Sequence, residues 1–350
     1  MDIIAFLAGL GLVLLCLLSW GFKYLPGERW QMLAVVPLKK NGQKHWLGAN
    51  LTYYGFFVAT SQLIALALLF VLLAAMNISI QGAIIAILAV LAVSVPAAKI
   101  VAVLVENKRH TFTIGGASFV GIISAPWIIL AIDSVAGPQS LYYMPLIPLL
   151  AAMSVAYTLG EGLGRLGCIS YGCCYGKPID ECGRVERFLF SRLNFIFYGD
   201  NKKVAYEGQL HGRKLIPVQA ITCLIYTGGA LCGSYLFLKG HFVEALLLTM
   251  MLTQLWRIFS ESMRADFRGF TRISAYQKMG LVSVLYIFIL CLLVQSYPPV
   301  APDIGRGLGI LWDPAVILGL QVIWLIFFYI FGRSTITTAV VSFDLIRERI

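Results

Sequence analysis

The chain has 350 residues, of which 59% are hydrophobic and 13% charged, and its formal net charge is +10. A soluble domain carries about 25% charged residues, so this composition excludes an ordinary soluble enzyme and predicts a polytopic membrane protein. The positive charge then indicates basic loops on the cytoplasmic side that contact anionic lipid, and not a nucleic-acid partner.

Apolar stretches, each near the length of about 20 residues that a membrane helix needs, follow one another along the chain. They lie at 3–20, 52–76, 82–104, 117–136, 143–167, 216–238, 241–262, 280–298 and 309–332. The sequence therefore predicts an all-α integral membrane protein with about nine transmembrane helices. The first stretch lacks a basic start and a small-residue cleavage pattern, so we expect a retained span and not a signal peptide.

The longest polar segment, about 168–215, is too short and too basic for a large core of its own. It predicts a small head or loop region packed on one membrane face.

Lys and Arg are distributed unequally between the two sides that alternating spans define. Loops on the side of the N-terminus hold Lys239 and Arg306, whereas the other side holds 22 basic residues. These lie in 23–51, 105–116, 168–215 and 263–279 and after the last span. By the positive-inside rule the second side is cytoplasmic, which places the N-terminus outside and the C-terminus inside.

The stretch "GEGLGRLGCISYGCCYGKP" (160–178) ends the fifth span on this basic side. Its Glu161 and Arg165 are spaced i, i+4, as an ion pair on one helix face would be. Gly164 and Gly167 either let the helix end approach a ligand or form a packing seam, and the sequence leaves both interpretations open.

A second charged stripe lies in "LWRIFSESMRADFRG" (255–269), where Arg257, Glu261 and Arg264 share one helix face. Ionisable residues at the end of an apolar span are costly and usually functional, although a snorkelling Arg paired with Glu is the structural alternative. We expect Glu261 to orient Arg257. With Arg165, the two stripes leave an excess of arginine, which suits a phosphate through bidentate bonds. At this depth the simplest phosphate is a phospholipid head group.

Cys168, Cys173, Cys174 and Cys182 cluster beside Arg165. Their C-x4-C-C-x7-C spacing lacks the C-x2-C pairs of zinc sites, so no metal site is predicted. The first three are candidate reactive thiols, because neighbouring cations stabilise a thiolate. The simpler alternative is that they are small side chains in a tight glycine-rich turn.

These motifs, together with "TYYG", "GGASFVG" and "IPVQ", resemble the prolipoprotein diacylglyceryl transferase family of bacterial inner-membrane enzymes. The resemblance implies a multi-pass core at 52–298, with head loop 168–215, flanked by added spans in 1–51 and 299–350. It implies transfer of diacylglyceryl from phosphatidylglycerol to a prolipoprotein cysteine thiol, with release of glycerol phosphate and no cofactor. The site residues that it implies, together with those of the charged stripes, are Arg165, Arg257 and Glu261 for catalysis and Tyr54, Ser118, Gly164, Gly167, Gln219 and Arg264 for substrate binding.

The departures from the family pattern affect groups proposed to move protons or place the acceptor. Val120 stands where the family has histidine, Cys168 where it has asparagine and Cys173 where it has glutamate. Ile221 and Thr222 stand where it has Tyr-Glu. Recognition of the phospholipid is therefore better supported than the chemistry, and a non-catalytic protein that binds or moves lipid stays an alternative.

The charge bias also departs from the family, whose site faces the periplasm. An added first span would invert the core, so we expect this site to face the cytoplasm. The acceptor would then be a cytoplasmic thiol, hydroxyl or membrane lipid, since a translocated prolipoprotein cysteine would be out of reach.

Overall fold

The computed structural model describes residues 2–106, 113–137, 144–266, 273–294 and 301–350. Within these ranges nine helices are long and apolar enough to cross a membrane. They are α1 (Ile3–Tyr24), α2 (Tyr53–Ala75), α3 (Ile80–Glu106), α4 (Ile114–Ala136), α5 (Leu146–Tyr171), α8 (Val218–Leu238), α9 (Phe242–Glu261), α10 (Ala275–Leu293) and α12 (Pro314–Gly332). Three short helices, α6 (Arg184–Phe190), α7 (Lys203–Tyr206) and α11 (Ile304–Gly309), lie between them. The prediction of an all-α membrane protein with about nine spans is confirmed.

Several helix ends follow from local sequence. The hydroxyl of Thr52 accepts the Gly55 N–H at the start of α2, and Ser274 forms a capping box with Gln277 at the start of α10. The carboxylate of Asp313 caps α12, in which proline holds the first position. At the other end of α5, Gly172 adopts a left-handed conformation with φ of 72° and ends the helix.

Helix α5 lies at the centre of the bundle, where most of its residues are buried against α2, α8 and α9. Small residues permit this close packing. A Cβ at Gly162 would lie 2.9 Å from the Tyr226 Cβ, and one at Gly167 would lie 3.0 Å from the Tyr54 carbonyl oxygen. The outermost helices, α1 and α12, are mostly exposed along their length, as lipid-facing helices would be.

A three-stranded antiparallel sheet joins the two chain ends. It consists of β1 (Met32–Asn41), β2 (His45–Thr52) and β5 (Arg333–Ser342), in the order β1-β2-β5. The sheet was not predicted, because its strands lie in segments that the sequence indicated only as basic stretches outside the spans. The β-branched run in "RSTITTAVVS" was a signal for a strand.

The head region is built around a two-stranded sheet of β3 (Phe195–Ile196) and β4 (Lys214–Leu215) together with α6 and α7. It is tied to the segment after α1, since the amide of Gln31 donates to the Asn201 carbonyl at 2.6 Å. Lys202 is fully buried, and its Nζ donates to the carbonyls of Leu25 and Ser170 at 3.2 and 2.5 Å.

The described parts of the basic loops therefore gather at one end of the bundle, as the alternation of spans requires. The head contacts the loop after α1, and the Lys177 N–H donates to the Met263 carbonyl of the loop after α9 at 2.9 Å. Strand β5 pairs with β2 at the same end. Four of the counted basic residues, Lys108, Arg109, Arg268 and Arg272, lie outside the described residues.

Candidate active site

A cavity of about 570 Å³ opens at this basic end of the bundle. Nine of the predicted site residues line it: Tyr54, Arg165, Cys168, Cys173, Cys174, Gln219, Arg257, Glu261 and Arg264. Helices α2, α5, α8 and α9 supply the walls, and α7 and β5 contribute further lining residues. Sequence motifs that lie far apart in the chain thus meet in one space.

The centre of the site is a carboxylate shared by two arginines. Arg257 donates through Nη2 to both carboxylate oxygens of Glu161, at 2.6 and 2.8 Å. Arg165 donates to Oε1 of the same carboxylate at 2.7 Å. The side chain of Glu161 is only 5% exposed, so the pair of arginines stabilises a carboxylate that would otherwise be costly to bury.

Arg257 is fixed further by two hydroxyl groups. Its Nη1 donates to the Ser118 hydroxyl of α4 at 2.6 Å, and its Nη2 donates to the Tyr157 hydroxyl of α5 at 3.0 Å. The Tyr157 hydroxyl in turn donates to Glu161. Ser118 therefore positions Arg257, and it is absent from the described residues that line the cavity itself.

The expected partner of Arg257 is corrected by these contacts. The i, i+4 spacing within α9 suggested Glu261, but the carboxylate on the Arg257 guanidinium is Glu161 of another helix. Glu261 lies at the end of α9 and lines the cavity, where its charge acts on Arg264. Spacing within one helix could not reveal a neighbour on a second helix.

Arg264 is held at the cavity by its own carboxylate and by backbone pairing. Its Nε and Nη2 donate to the two oxygens of Asp266 at 2.8 and 2.7 Å. The backbone around it pairs antiparallel with the turn after α5, since the Ala265 N–H donates to the Tyr175 carbonyl at 3.1 Å. This pairing brings Arg264 beside the cysteines.

Within the described residues, Arg165 differs from the other two arginines in having a buried N–H without a partner. Its Nε is buried and has no hydrogen-bond partner within the described part of the chain, and Glu161 is its one ion-pair partner there. A buried N–H that faces no acceptor is unfavourable, so a ligand that supplies one would bind with a gain in free energy. The Oε1 of Gln219 is likewise buried without a donor, while its Nε2 donates to the Cys173 carbonyl at 2.8 Å.

The two glycines predicted to contact substrate face neighbouring helices. Gly164 and Gly167 are not among the described residues that line the cavity, and their nearest neighbours are Ser61 and Tyr54 of α2. The packing-seam interpretation is the one that this geometry supports. Their assignment to substrate binding stays a prediction without support from the lining of the cavity.

The three thiols of Cys168, Cys173 and Cys174 lie within 4.8 Å of one another at the cavity wall. Hydrogen bonds from Cys168 and Cys173 lower the pKa of Cys174 well below its usual value, and the charges of Arg264 and Arg165 act in the same direction against burial. Cys182 lies apart from the cluster, with its Sγ 3.2 Å from the Pro178 carbonyl.

The comparison with protein families agrees with the site. The model of the prolipoprotein diacylglyceryl transferase family matches residues 45–294, which is most of the chain. The chain belongs to the prolipoprotein diacylglyceryl transferase family. None of the curated proteins compared with the chain matches it.

The family match contains both arginine stripes and the cysteine turn, but it ends before α12 and β5. Those two elements still reach the cavity, which Phe331, Arg333 and Ile336 help to line. At the positions where this chain departs from the family pattern, Thr222 lines the cavity and accepts the Trp256 indole N–H at 2.9 Å. The position at which the family has glutamate is thus occupied here by a hydroxyl that already accepts a hydrogen bond.

Several residues of the cavity and of the Glu161 network were missed, or noted only in part, from the sequence. Glu161 was noted only as a partner of Arg165, and Tyr157 was not noted at all. Both were detectable, because Tyr157, Glu161 and Arg165 follow one another at intervals of four on one face of α5. Lys203, Tyr206 and Glu207 of the head, and Arg333 of β5, gave no local signal.

Proposed function

We propose that the chain is a phospholipid-dependent membrane transferase. It moves the diacylglyceryl group of an anionic phospholipid, phosphatidylglycerol, to a thiol and releases glycerol phosphate. Membership of the family supports the reaction class, and the side chains that line the cavity support an anionic phospholipid as the donor.

The observation that supports this most strongly is the unused Nε of Arg165 at the cavity. The Nη1 and Nη2 groups of Arg257 are bonded to Ser118, Tyr157 and Glu161, and Arg264 is bonded to Asp266. Among the described residues, Arg165 is the arginine with a buried, unpartnered N–H that a ligand could accept from. A phosphate oxygen is the acceptor that suits a guanidinium best, because it is charged and has the matching geometry.

The charge of the cavity wall agrees with a single phosphodiester. Among the described residues, the wall carries five basic side chains, Arg165, Lys203, Arg257, Arg264 and Arg333. It carries four carboxylates, Glu161, Glu207, Glu261 and Asp266. Basic side chains therefore outnumber the carboxylates along the wall, as suits a cavity that receives an anionic head group.

In the reaction the acceptor sulfur attacks the glycerol carbon that bears the phosphate oxygen. The S–C bond forms, the C–O bond breaks with its electron pair on oxygen, and glycerol phosphate leaves with a second negative charge. Arginines fixed before the reaction stabilise that developing charge without reorganisation. The Glu161 network serves this purpose by holding Arg257 and Arg165 in place.

The rim of the cavity offers a path for the acyl chains. Ile114 of α4, Phe331 of α12 and Ile336 of β5 line it and are exposed, at 53%, 40% and 62%. Apolar side chains next to a charged cavity suit a lipid whose head group is inside and whose chains remain in the bilayer.

Incubation of the purified protein with phosphatidylglycerol and a thiol, followed by mass spectrometry of the lipids and water-soluble products, tests the function. We expect glycerol phosphate to appear. Intact phosphatidylglycerol that co-purifies with the protein, without glycerol phosphate, would instead establish the lipid-binding alternative. A protein that neither binds nor consumes the lipid would overturn both.

A further inference from the structure

The three thiols at the cavity wall are held in a fixed arrangement by the backbone. The Gly172 N–H donates to the Cys168 carbonyl at 2.9 Å, and the Cys173 N–H donates to the same oxygen at 3.0 Å. Gly172 and Cys174 both have positive φ, of 72° and 57°. This left-handed turn folds the chain back on α5, so the two later thiols meet the thiol of the last helical turn.

The turn is also fixed from outside. Gln219 of α8 donates to the Cys173 carbonyl at 2.8 Å, and the segment 263–265 pairs with 175–177. A Cβ on Gly172 would lie 3.0 Å from the Cβ of buried Lys202. A site whose binding residues are already fixed by the surrounding structure loses less conformational entropy when it binds its ligand.

We propose that Cys168, Cys173 and Cys174 bind a zinc ion at the cavity wall. The Sγ atoms lie within 4.8 Å of one another, and four-coordinate zinc with thiolates at about 2.3 Å needs sulfurs roughly 3.8 Å apart. Side-chain rotations that bring the Sγ atoms closer together by up to about 1 Å would give this spacing. Three protein ligands and a fourth position open to a cavity are the arrangement of catalytic zinc.

The electrostatics of the surroundings fit this ion. Zinc with three thiolates has a net charge of −1, and the charges of Arg165 and Arg264 act on Cys174. A soft, thiolate-only ligand set selects zinc over magnesium or calcium, which prefer oxygen ligands. Two alternatives are weaker, since a disulfide would use two of the thiols and leave the third unexplained, and packing alone would not require three sulfurs to face one cavity.

The open fourth position gives the metal a role, and this role rests on the proposed function. The acceptor thiol displaces water from zinc and loses its proton to solvent, because a coordinated thiol is deprotonated. The zinc-bound sulfur then attacks the glycerol carbon of the phospholipid. One thiol and one phosphatidylglycerol yield one thioether, one glycerol phosphate dianion and one proton, and zinc keeps its oxidation state. In this way the metal supplies the deprotonation that the residues lost at Val120 and Cys173 no longer provide.

The metal content of the purified full-length protein tests the site directly. We expect about one zinc per chain in the wild type and in Cys182→Ser, whose thiol lies outside the cluster. Cys168→Ser, Cys173→Ser and Cys174→Ser should each weaken zinc binding by about 100-fold or more. Equal zinc content in all four variants, or no zinc in wild type after reconstitution, would overturn the proposal.

A second measurement needs no variant and therefore does not depend on their folding. Cobalt(II) added to chelator-treated wild type should give the intense thiolate-to-cobalt absorption and the visible bands of a tetrahedral site. Addition of a cysteine peptide should shift these bands, while a serine peptide should not. A cobalt spectrum of octahedral, oxygen-ligated type would refute the thiolate site.

The two proposals can fail separately. If the thiols bind zinc but no glycerol phosphate is released, the proposed function is wrong and the metal site still holds. Release of glycerol phosphate by a zinc-free, chelator-treated protein at the wild-type rate would remove the metal's role and leave the transferase.

Discussion

Arg257 of α9 and Glu161 of α5 form an ion pair between two helices, with 2.6 Å between Nη2 and Oε1. Both side chains are nearly buried, at 11% and 5% exposed. The pair joins the two charged stripes into one unit and holds Arg165 on its other side. The geometry of the cavity therefore depends on a contact that neither stripe contains by itself.

Loss of this pair should cost both stability and activity. Arg257→Ala leaves Glu161 with one fewer cation, and breaking a buried pair costs about 3 to 5 kcal/mol. Arg257→Lys should cost less, since it keeps the charge and loses only the fork that reaches Glu161 and Ser118 together. Thermal unfolding in detergent and glycerol phosphate release measure the two effects. Equal losses for Ala and Lys would contradict the importance of charge here.

Arg165 should contribute more to lipid binding than an arginine outside the cavity. Arg165→Ala removes the unused Nε, and we expect binding of phosphatidylglycerol and the rate of its consumption to fall by roughly 100-fold. Arg213→Ala is the matched control, because Arg213 pairs with Asp180 and Glu181 at the surface of the head. If both variants bind phosphatidylglycerol equally, Arg165 does not hold the phosphate.

The contact between α2 and α12 should be sensitive to one methyl group. A Cβ at Gly55 would lie 2.1 Å from the Cα of Gly332, so Gly55→Ala forces the two helices apart and moves β5 at the cavity rim. Gly319→Ala on α12 has nothing within 4 Å and should leave the melting temperature unchanged or raise it slightly. An unaltered melting temperature for Gly55→Ala would show that this packing is wrong.

The burial of Lys202 predicts a pH dependence of stability. Burial lowers the pKa of Lys202 to about 7, against the charge of Glu28, which raises it. Between pH 7 and the unfolded value near 10.5 the unfolded chain binds one more proton, so stability rises with pH by up to about 1.4 kcal/mol per unit. Lys202→Met should flatten this rise in the melting temperature, while exposed Lys214→Met should retain it. Identical slopes in both variants would contradict a neutral Lys202.

The direction in which the site faces can be measured with two single cysteines in a chain without exposed native thiols. Arg192→Cys lies in the exposed part of the head, and Lys239→Cys lies in the loop at the opposite end of the bundle. By the positive-inside rule a membrane-impermeant maleimide should label Lys239→Cys in intact cells and Arg192→Cys only in inverted vesicles. The reverse pattern would place the site outside and make a prolipoprotein cysteine the acceptor.

The spans could be predicted from the sequence because apolar length is a local property, and the family followed from the resemblance of short motifs. Nine of the lining residues were predicted, because they lie in those motifs or in the charged stripes. The same local logic failed for the partner of Arg257, which lies on another helix 96 residues away. Spacing also did not reveal that the three thiols converge, since their convergence depends on the left-handed turn at Gly172 and Cys174. The sheet of β1, β2 and β5 was not recognised from the sequence, because the basic residues in these segments indicated loops.

The measurement that tests the central claim most directly is mass spectrometry of a cysteine peptide incubated with the purified protein and phosphatidylglycerol. We predict a peptide that gains one diacylglyceryl group through a thioether, with glycerol phosphate released in equal amount. A peptide with serine in place of cysteine should give neither product, and Arg165→Ala should give both at a rate lower by roughly 100-fold. An unmodified peptide beside protein-bound, intact phosphatidylglycerol would contradict the transferase and leave a lipid-binding protein on the same scaffold.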